Sequence, residues 1–216
     1  LLRGDTTQAV AKYVDILKIS NYGFSKLSYE SIHGGGLIYE KVKENIETFL
    51  DLQDKSYVHM SFLEMPENEG EANSWKMYWE PKVDEISIWA PHNWGGSYEP
   101  SQDITKNSDE VKSCGRVYTG NPYIRANGDI SLCCFDYKHD LTVGNLAFDP
   151  LSEILQSNAY QSVKKMHDDL SFCGSGSICE TCDQILDRSD ALIYASNKNR
   201  KVGKKNSEAI WPLLNA

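Results

Sequence analysis

The sequence predicts an α/β fold for residues 1–100, a small α+β metal-binding domain for residues 101–190 and a C-terminal tail over residues 191–216. Two observations carry this prediction. Short β-branched strands alternate with amphipathic helices in the first part, and all six cysteines lie between Cys114 and Cys182 in the second. The formal net charge of −9 argues against a dedicated nucleic-acid binder.

The first part of the chain alternates strand and helix signals. Three apolar runs have the length and β-branched content of buried strands, and they cover residues 14–20, 57–63 and 83–89. Apolar residues at helical spacing predict one helix from Tyr39 to Leu50 and a second from Glu71 to Trp79, which Pro81 stops. This order implies parallel strands joined by right-handed crossovers. Three strands alone make a poor sheet, so we expect part of a larger α/β barrel or sheet.

The cysteine region predicts a β-hairpin and a helix. Asn127-Gly128 is the strongest two-residue turn signal, because both central residues need a positive φ, and it lies between Cys114 and Cys133. Pro150 opens a helix that reaches about Leu170. The helix leads to a loop rich in Gly and Ser, which carries the remaining cysteines at positions 173, 179 and 182.

The cysteine spacing favours a metal centre. The CxxC of Cys179 and Cys182 lets two thiolates converge from one turn, and Cys114 and Cys133 supply a second pair from around the hairpin. Four thiolates delivered as two pairs suit zinc or an iron–sulfur cluster. Disulfides are the alternative, although a chain of 216 residues can bury a core without them and shows no signal peptide.

Two cysteines leave the ligand set open. Cys134 competes with Cys133, because neighbours on a strand point to opposite faces, and the spacing from Gly128 favours Cys133. Cys173 is either a further ligand or a free thiol.

The histidines give no sign of a metal site. No pairing at metal-ligand spacing occurs among His33, His59, His139 and His167, which predicts surface or packing roles for them. A basic run from Lys198 to Lys205 is interpreted as a solvated tail rather than a phosphate-binding patch.

A combined pattern joins these motifs. It consists of Cys114-Gly-Arg-Val-Tyr, Asn127-Gly-Asp-Ile, Cys133-Cys-Phe-Asp, Val143-Gly-Asn-Leu and Cys179-x-x-Cys182. The pattern resembles the auxiliary cluster domain, of SPASM or twitch type, of radical S-adenosylmethionine (SAM) enzymes. Upstream, residues 15–23, 58–68 and 83–89 resemble the fourth, fifth and sixth strands of the radical SAM barrel. The resemblance therefore implies the C-terminal half of a partial (β/α)6 barrel, followed by a cluster domain of hairpin and helix.

The resemblance implies cofactors and site residues. Cys114, Cys133, Cys179 and Cys182 would hold an auxiliary [4Fe-4S] cluster, with Cys134 and Cys173 as further candidates. SAM would lie at the strand ends, where the cofactor-binding candidates are Ser20, Asn21, Asn68 and Pro91; a strand-end cap is the alternative role for Ser20. No residue is assigned as catalytic.

The resemblance also implies an activity. Radical SAM oxidoreductases and maturases use a primary [4Fe-4S] cluster to reduce SAM to a 5′-deoxyadenosyl radical, which acts on a peptide or a small molecule. The implied partners are that substrate and an electron donor such as flavodoxin or ferredoxin, in the cytoplasm, with neither nucleic acid nor a membrane.

One departure from the family pattern limits the enzyme interpretation. The primary cluster of the family is held by a CxxxCxxC motif, and no cysteine precedes Cys114 here. We therefore interpret the chain as the C-terminal part of a longer enzyme, which lacks radical chemistry on its own. The competing hypothesis is a non-enzymatic zinc-binding structural module with a four-cysteine site.

Overall fold

The structure, a computed structural model, describes residues 2–53, 55–99, 106–119, 122–188 and 191–196. The chain divides into two compact units. We call them the N-terminal unit, which is Leu1–Pro91 with the chain from Asp190, and the cysteine unit, which is His92–Ser189. The basic run from Lys198 to Lys205 lies outside the described residues.

The helices and strands follow the chain in this order. The N-terminal unit begins with α1 (Asp5–Tyr13), β1 (Ile16–Ser20), α2 (Lys26–His33), α3 (Tyr39–Leu52), β2 (Tyr57–Leu63), α4 (Ala72–Trp79) and β3 (Glu85–Trp89). The cysteine unit contains β4 (Lys106–Val111), β5 (Tyr123–Ile124), β6 (Asp129–Ser131), β7 (Thr142–Asn145), α5 (Leu151–Ile154), α6 (Asn158–Asp168) and β8 (Leu186–Arg188). The chain then returns to the N-terminal unit as β9 (Ala191–Ser196).

The N-terminal unit is built on a four-stranded sheet of order β1-β2-β3-β9. β1, β2 and β3 run parallel, and β9 pairs antiparallel with β3. The predicted strands and their parallel order are therefore confirmed, whereas the strand Ala191–Ser196 lies in the segment that the sequence analysis interpreted as a tail. A mixed α/β architecture is what the structure supports.

One face of this sheet forms the core. Val58, Met60 and Phe62 of β2 and Ile86 and Ile88 of β3 are almost completely buried. They pack with apolar side chains of α3 and α4: Ile46, Phe49, Trp75 and Trp79. Side chains alternate between the two faces of a strand, so the residues between them form the opposite face.

That opposite face is polar. His59 Nε2 lies 2.8 Å from Ser87 Oγ, and the Trp89 indole N–H donates to the same hydroxyl at 2.6 Å. The Tyr57 hydroxyl donates to the buried carboxylate of Glu85. Burial lowers the pKa of His59, while Glu85 acts in the opposite direction. The sheet therefore pairs an apolar helix-covered face with a face of mutually hydrogen-bonded polar groups.

The cysteine unit contains two small sheets. β5, β6 and β7 form an antiparallel sheet, and β4 pairs antiparallel with β8. Its core joins Ile130 and Leu132 of the hairpin with Val143 of β7 and Ile154 of α5. The hairpin that the sequence predicts around Asn127-Gly128 is thus confirmed, but the predicted two-residue turn is wrong. Gly128 has a positive φ and Asn127 does not, and the Gly128 N–H donates to the Arg125 carbonyl at 2.9 Å, so the turn spans residues 125–128.

The helix predicted from Pro150 to Leu170 is two helices. The first, α5, ends at Ile154, and α6 begins at Asn158. The break has a local cause, because Ser157 adopts an extended conformation and its side chain accepts a hydrogen bond from the Tyr160 N–H at 3.2 Å. Ser157 is therefore an N-cap and not a helix-interior residue. In the described part of the chain, no helix is long and apolar enough to cross a membrane.

Candidate metal centre

The cofactor-binding candidates of the N-terminal unit all follow parallel strands. Ser20 ends β1, and Asn21 comes directly after it; Asn68 lies in a short turn after β2, and Pro91 follows β3. The carboxyl ends of parallel strands lie along one edge of a sheet, which is where α/β folds bind ligands. Asn68 Nδ2 also donates to the Tyr22 carbonyl at 3.3 Å, so the loops after β1 and β2 are in contact.

The side chains of these candidates differ in what they contact. Asn68 is engaged in its own loop, because Oδ1 accepts from the Met65 N–H at 2.7 Å and Nδ2 donates to the Leu63 carbonyl at 2.8 Å. Buried Asn21 accepts from the Trp75 indole N–H at 2.8 Å, and its Nδ2 has no hydrogen-bond partner among the described residues. Ser20 Oγ is 3.5 Å from Ser61 Oγ at an exposed position. Within the described part of the chain, Asn21 therefore keeps an unused buried donor at the strand ends.

In the cysteine unit, three segments supply the six thiols. Cys114 follows β4, Cys133 and Cys134 follow β6, and the loop after α6 carries the cysteines at positions 173, 179 and 182. All six are free cysteines, and none forms a disulfide. Cys179 is buried, Cys114, Cys133 and Cys182 are partly buried, and Cys134 and Cys173 are exposed.

The hairpin that carries Cys133 is closed by a glycine turn. Gly128 has φ +87°, and a Cβ there would lie 2.9 Å from Asn145 Oδ1. Asn145 Nδ2 donates to the Asn127 carbonyl at 3.1 Å and to Asp129 Oδ1 at 2.8 Å. β7 thus holds the turn through one amide side chain, which fixes the direction in which β6 delivers Cys133.

A buried carboxylate organises the loop after the cysteine pair. Asp136 accepts hydrogen bonds from the Ser131 hydroxyl at 2.8 Å and from the Asp140 and Leu141 N–H groups at 2.7 and 3.0 Å. Its Oδ2 also lies 3.2 Å from Arg125 Nη2. These contacts tie both ends of the Cys133–Leu141 loop to the hairpin.

Arg116 lies among the thiols of the first two segments. Its guanidinium interacts electrostatically with the thiols of Cys114, Cys134 and Cys133. Burial lowers the pKa of the guanidinium, and these sulfur groups outweigh burial and raise it overall. The guanidinium also stacks 4.5 Å from the Phe135 ring centroid, and Nη2 donates to Gln184 Oε1 at 3.3 Å. Arg116 therefore contacts all three cysteine-bearing segments.

The CxxC loop is shaped by its own polar side chains. The Cys179 N–H donates to the Ser177 hydroxyl at 3.2 Å, which caps a short 3-10 turn. The Glu180 carboxylate accepts from the Gly174 and Gly176 N–H groups at 2.8 and 2.9 Å. The turn places Cys179 and Cys182 one behind the other, with the Cys182 N–H donating to the Cys179 carbonyl at 3.3 Å.

The thiols of the first and third segments are close enough to influence one another. Burial raises the pKa of Cys179 to about 11, and the neighbouring Cys114 and Cys182 act in the same direction. Burial also raises the pKa of Cys182, where Cys114 contributes and Arg116 opposes it. Cys133 packs against the buried apolar cluster that contains Cys179. Four thiols from three segments thus lie in one region.

His167 of α6 joins two of the cysteine segments. Its ring is buried, its Nε2 lies 3.6 Å from Cys179 Sγ and its Nδ1 lies 2.9 Å from the hydroxyl of Ser113. Phe172 packs edge-on against the ring. Burial lowers the pKa of His167, while Asp168 opposes the shift.

Residues 93–96 pack against the CxxC loop. Asn93 exchanges two hydrogen bonds with Asp183, and the Thr181 hydroxyl donates to the Gly95 carbonyl at 2.8 Å. A Cβ at Gly95 would lie 2.1 Å from Ile178 Cγ1, so the backbone approaches the loop more closely than any side chain allows. This segment holds the CxxC loop from one side.

Residues 114–183 match the family model of SPASM, an iron-sulfur cluster-binding domain. No curated protein and no solved structure matches the chain. The matched range begins at Cys114 and ends one residue after Cys182. The SPASM match confirms the resemblance of the cysteine region and implies that it binds an iron–sulfur cluster.

The thiols of the SPASM region fit a cluster better than a single ion. Among the described residues, no group of three or more His, Cys, Asp or Glu side chains could hold one metal ion. A zinc site needs its ligands at about 2.0–2.3 Å from one point. In a cluster bound by four cysteines each thiolate binds a different iron, so the sulfurs stand farther apart. The thiols around the cationic Arg116 lie near one another but do not meet at one point, which suits the cluster.

The contacts of Cys133 and Cys134 differ, which bears on which of the two is the cluster ligand. Interaction with the neighbouring Cys134 thiol, together with burial, raises the pKa of Cys133. The pKa of Cys134 is lowered, first by Cys133 and then by Tyr123 and Arg116, against the effect of burial. Both face Arg116, and Cys133 is the one that packs towards Cys179. No described contact joins Cys173 to the other five thiols.

Sequence reasoning did not identify three contributors to the cysteine site: Arg116, His167 and the 93–96 segment. The sequence could have pointed to Arg116, because it follows Cys114 by two residues in the Cys-Gly-Arg motif. No sequence feature pointed to His167, because its partners Ser113 and Cys179 lie far from it in the sequence. The Gly95-Gly96 pair indicated a close backbone approach, but the sequence does not show which residues it packs against.

Proposed function

We propose that this chain binds an auxiliary [4Fe-4S] cluster through Cys114, Cys133, Cys179 and Cys182 and acts as part of a radical SAM enzyme. The observation that carries the proposal is the SPASM match, which spans all six cysteines. The neighbouring thiols of Cys114, Cys179 and Cys182 support the ligand assignment.

The residues around the cluster would balance its negative charge and hold its cysteine ligands in place. A cluster with four thiolate ligands adds negative charge, and Arg116 places a partly buried cation beside Cys114 and Cys134. Asp136 and Glu180 each fix a ligand-bearing loop through backbone N–H groups. When bound, the cluster would supply a centre that binds the substrate or accepts an electron from it.

The N-terminal unit supports the SAM part of the proposal. Its three parallel strands have the order expected for the fourth to sixth strands of a (β/α)6 barrel. Ser20, Asn21, Asn68 and Pro91 follow the ends of these strands, and Asn21 keeps a buried donor with no partner among the described residues. We propose that Ser20 and Asn21 contact SAM, whereas Asn68 shapes the neighbouring loop.

The remaining roles follow from the proposed enzyme class. The whole enzyme would be a cytoplasmic oxidoreductase or maturase that acts on a peptide or a small molecule, with a flavodoxin or ferredoxin as electron donor. Residues 1–216 contain no CxxxCxxC motif, and four cysteines would leave no open iron on the auxiliary cluster. A strong reductant and SAM are therefore expected to yield no 5′-deoxyadenosine from this chain alone.

Anaerobic reconstitution with iron and sulfide tests the cluster. The wild-type chain should bind about four iron atoms and turn brown, with broad absorption near ~400 nm from thiolate-to-iron charge transfer. Cys114→Ser, Cys179→Ser and Cys182→Ser should each lose iron, whereas Cys173→Ser is the matched control and should retain it. Cys133→Ser and Cys134→Ser, compared in the same assay, identify the second-segment ligand.

The zinc module is the competing function. It would need four ligands around one ion, which the described residues do not provide in this arrangement. A colourless protein that binds one zinc per chain and takes up no iron under anaerobic conditions would establish the zinc module and reject the cluster.

A further inference from the structure

His167 is the centre of a hydrogen-bonded chain between two cysteine segments. The Gly115 N–H donates to the Ser113 hydroxyl at 3.2 Å, and that hydroxyl lies 2.9 Å from His167 Nδ1. The other ring nitrogen, Nε2, lies 3.6 Å from Cys179 Sγ. Ser113 and Gly115 flank Cys114, so the chain runs from one predicted ligand to another through one buried ring.

Cluster binding would fix the direction of every hydrogen bond in this chain. A metal-bound thiolate can only accept, so the contact with Cys179 requires a proton on Nε2. In the tautomer that carries this proton, Nδ1 accepts, and the Ser113 hydroxyl is the group that can donate to it. Ser113 Oγ can do so because it already accepts from the Gly115 N–H.

We infer that His167 is a positioning residue that donates its Nε2 proton to the Cys179 sulfur and thereby sets the reduction potential of the cluster. The inference rests on the proposed function, since it needs a cluster bound by Cys179. Ser113 acts through His167 by holding the ring in the required tautomer, as outer groups do for metal-binding histidines.

The physical consequence is a shift in reduction potential. A hydrogen bond to a ligand sulfur withdraws electron density and stabilises the reduced, more negative cluster, which raises the potential. The contact is buried, so water does not compete with it and the local dielectric is low. Loss of the donor should therefore shift the potential to more negative values, without removing any cysteine.

The test measures the reconstituted 216-residue chain by redox titration and pulsed electron paramagnetic resonance. His167→Phe keeps the ring volume and removes both nitrogens, and Ser113→Ala removes only the hydroxyl that selects the tautomer. Both variants should shift the midpoint potential to more negative values, with the larger shift in His167→Phe. In the wild type, ¹⁵N-histidine labelling should give a nitrogen coupling to the reduced cluster that His167→Phe abolishes.

Phe172→Leu is the packing control. It disturbs the edge-on contact with the His167 ring and keeps the hydrogen bonds, so it should lower the melting temperature without moving the potential. His167→Gln restores an N–H donor and should recover part of the potential. If His167→Phe does not fold, Ser113→Ala and the labelling experiment decide the question.

The outcomes separate this inference from the proposed function. Variants that retain iron and have the wild-type potential, or a wild type without the nitrogen coupling, would overturn the role of His167 alone. A wild-type chain that binds no iron would overturn the proposed function and the inference together.

Discussion

Partly buried Arg125 and fully buried Asp136 form an ion pair beside the cysteine hairpin, with Arg125 Nη2 3.2 Å from Asp136 Oδ2. Arg125 also donates to the Asp136 carbonyl. Arg125 lies at the turn of the hairpin and Asp136 follows the Cys133-Cys134 pair, so the ion pair ties the loop after the cysteine pair to the hairpin turn. The Asp136 side chain has no exposed surface, which makes this contact a determinant of where Cys133 lies.

Asp136→Asn should destabilise the cysteine unit. The substitution leaves Arg125 without its carboxylate and places an amide N–H₂ among three other hydrogen-bond donors, which are Ser131 Oγ and the Asp140 and Leu141 N–H groups. Breaking a buried pair by removing one partner costs about 3–5 kcal/mol. Urea unfolding should show a loss of this order. Asp149→Asn at an exposed position is the control, and an equal loss in both variants would contradict the role of Asp136.

Local signals in the sequence predicted the main elements, and contacts between distant residues account for what they missed. Asn127-Gly128 predicted the position of the hairpin because a glycine with positive φ is needed there, whereas the turn itself spans residues 125–128. The Ser157 cap, which divides the helix predicted from Pro150 to Leu170, was not expected because apolar residues at helical spacing continue across it. β9 could not be expected, since its pairing with β3 joins distant parts of the chain. The cysteine spacing predicted the site, but Arg116 and His167 reach it only through the tertiary fold.

Gly95→Ala should disturb the CxxC loop. Gly95 has φ +66°, and the added Cβ would lie 2.1 Å from Ile178 Cγ1, next to Cys179. The left-handed conformation alone costs a side chain about 1–2 kcal/mol. Forcing apart packed groups adds about 1–3 kcal/mol. We therefore expect a lower melting temperature together with reduced iron binding after reconstitution.

The matched control for this substitution is Gly70→Ala. Gly70 has a similar φ of +78°, and a Cβ there would meet nothing within 4 Å. It should show the conformational cost without the steric one, and it should leave iron binding unchanged. Equal effects of the two substitutions would show that the close approach to Ile178 is unimportant.

Glu71 should make the N-terminal unit sensitive to acid. Its carboxylate accepts from the Phe24 N–H at 2.7 Å and the Ser28 hydroxyl at 2.6 Å. Burial raises its pKa, but hydrogen bonds from Ser25, Ser28 and Phe24 outweigh burial and lower the pKa below its ordinary value of 4.5. A lowered folded-state pKa means that the stabilisation is complete above the ordinary value and is lost as the pH falls through the folded-state pKa.

Comparison with Glu71→Gln should reveal this contribution. The wild type should be more stable than the variant at pH 7, and the difference in unfolding free energy should shrink as the pH falls below about 4.5. Glu69→Gln, at an exposed position of the same loop, should show no such convergence. A stability difference that stays constant from neutral pH into the acid range would contradict the assignment to Glu71.

Metal removal should loosen the CxxC loop selectively. The loop from Cys173 to Cys182 contains few apolar side chains, so metal ligation would supply much of the free energy that orders it. After chelation, limited proteolysis should cut within this loop, whereas α3 and α4, which bury Phe49 and Trp75 against the sheet, should stay resistant. Mass spectrometry of the fragments locates the cuts.

Glu180→Gln provides the internal comparison for metal removal. In the metal-free protein the Glu180 carboxylate still accepts from Gly174 and Gly176, and it should retain part of the loop structure. The variant weakens these charge-assisted hydrogen bonds, so its metal-free form should be cut faster than the metal-free wild type. With metal bound, the two proteins should be cut at similar rates, because ligation by Cys179 and Cys182 then holds the loop. Equal cutting rates with and without metal would show that the loop is ordered by its own contacts alone.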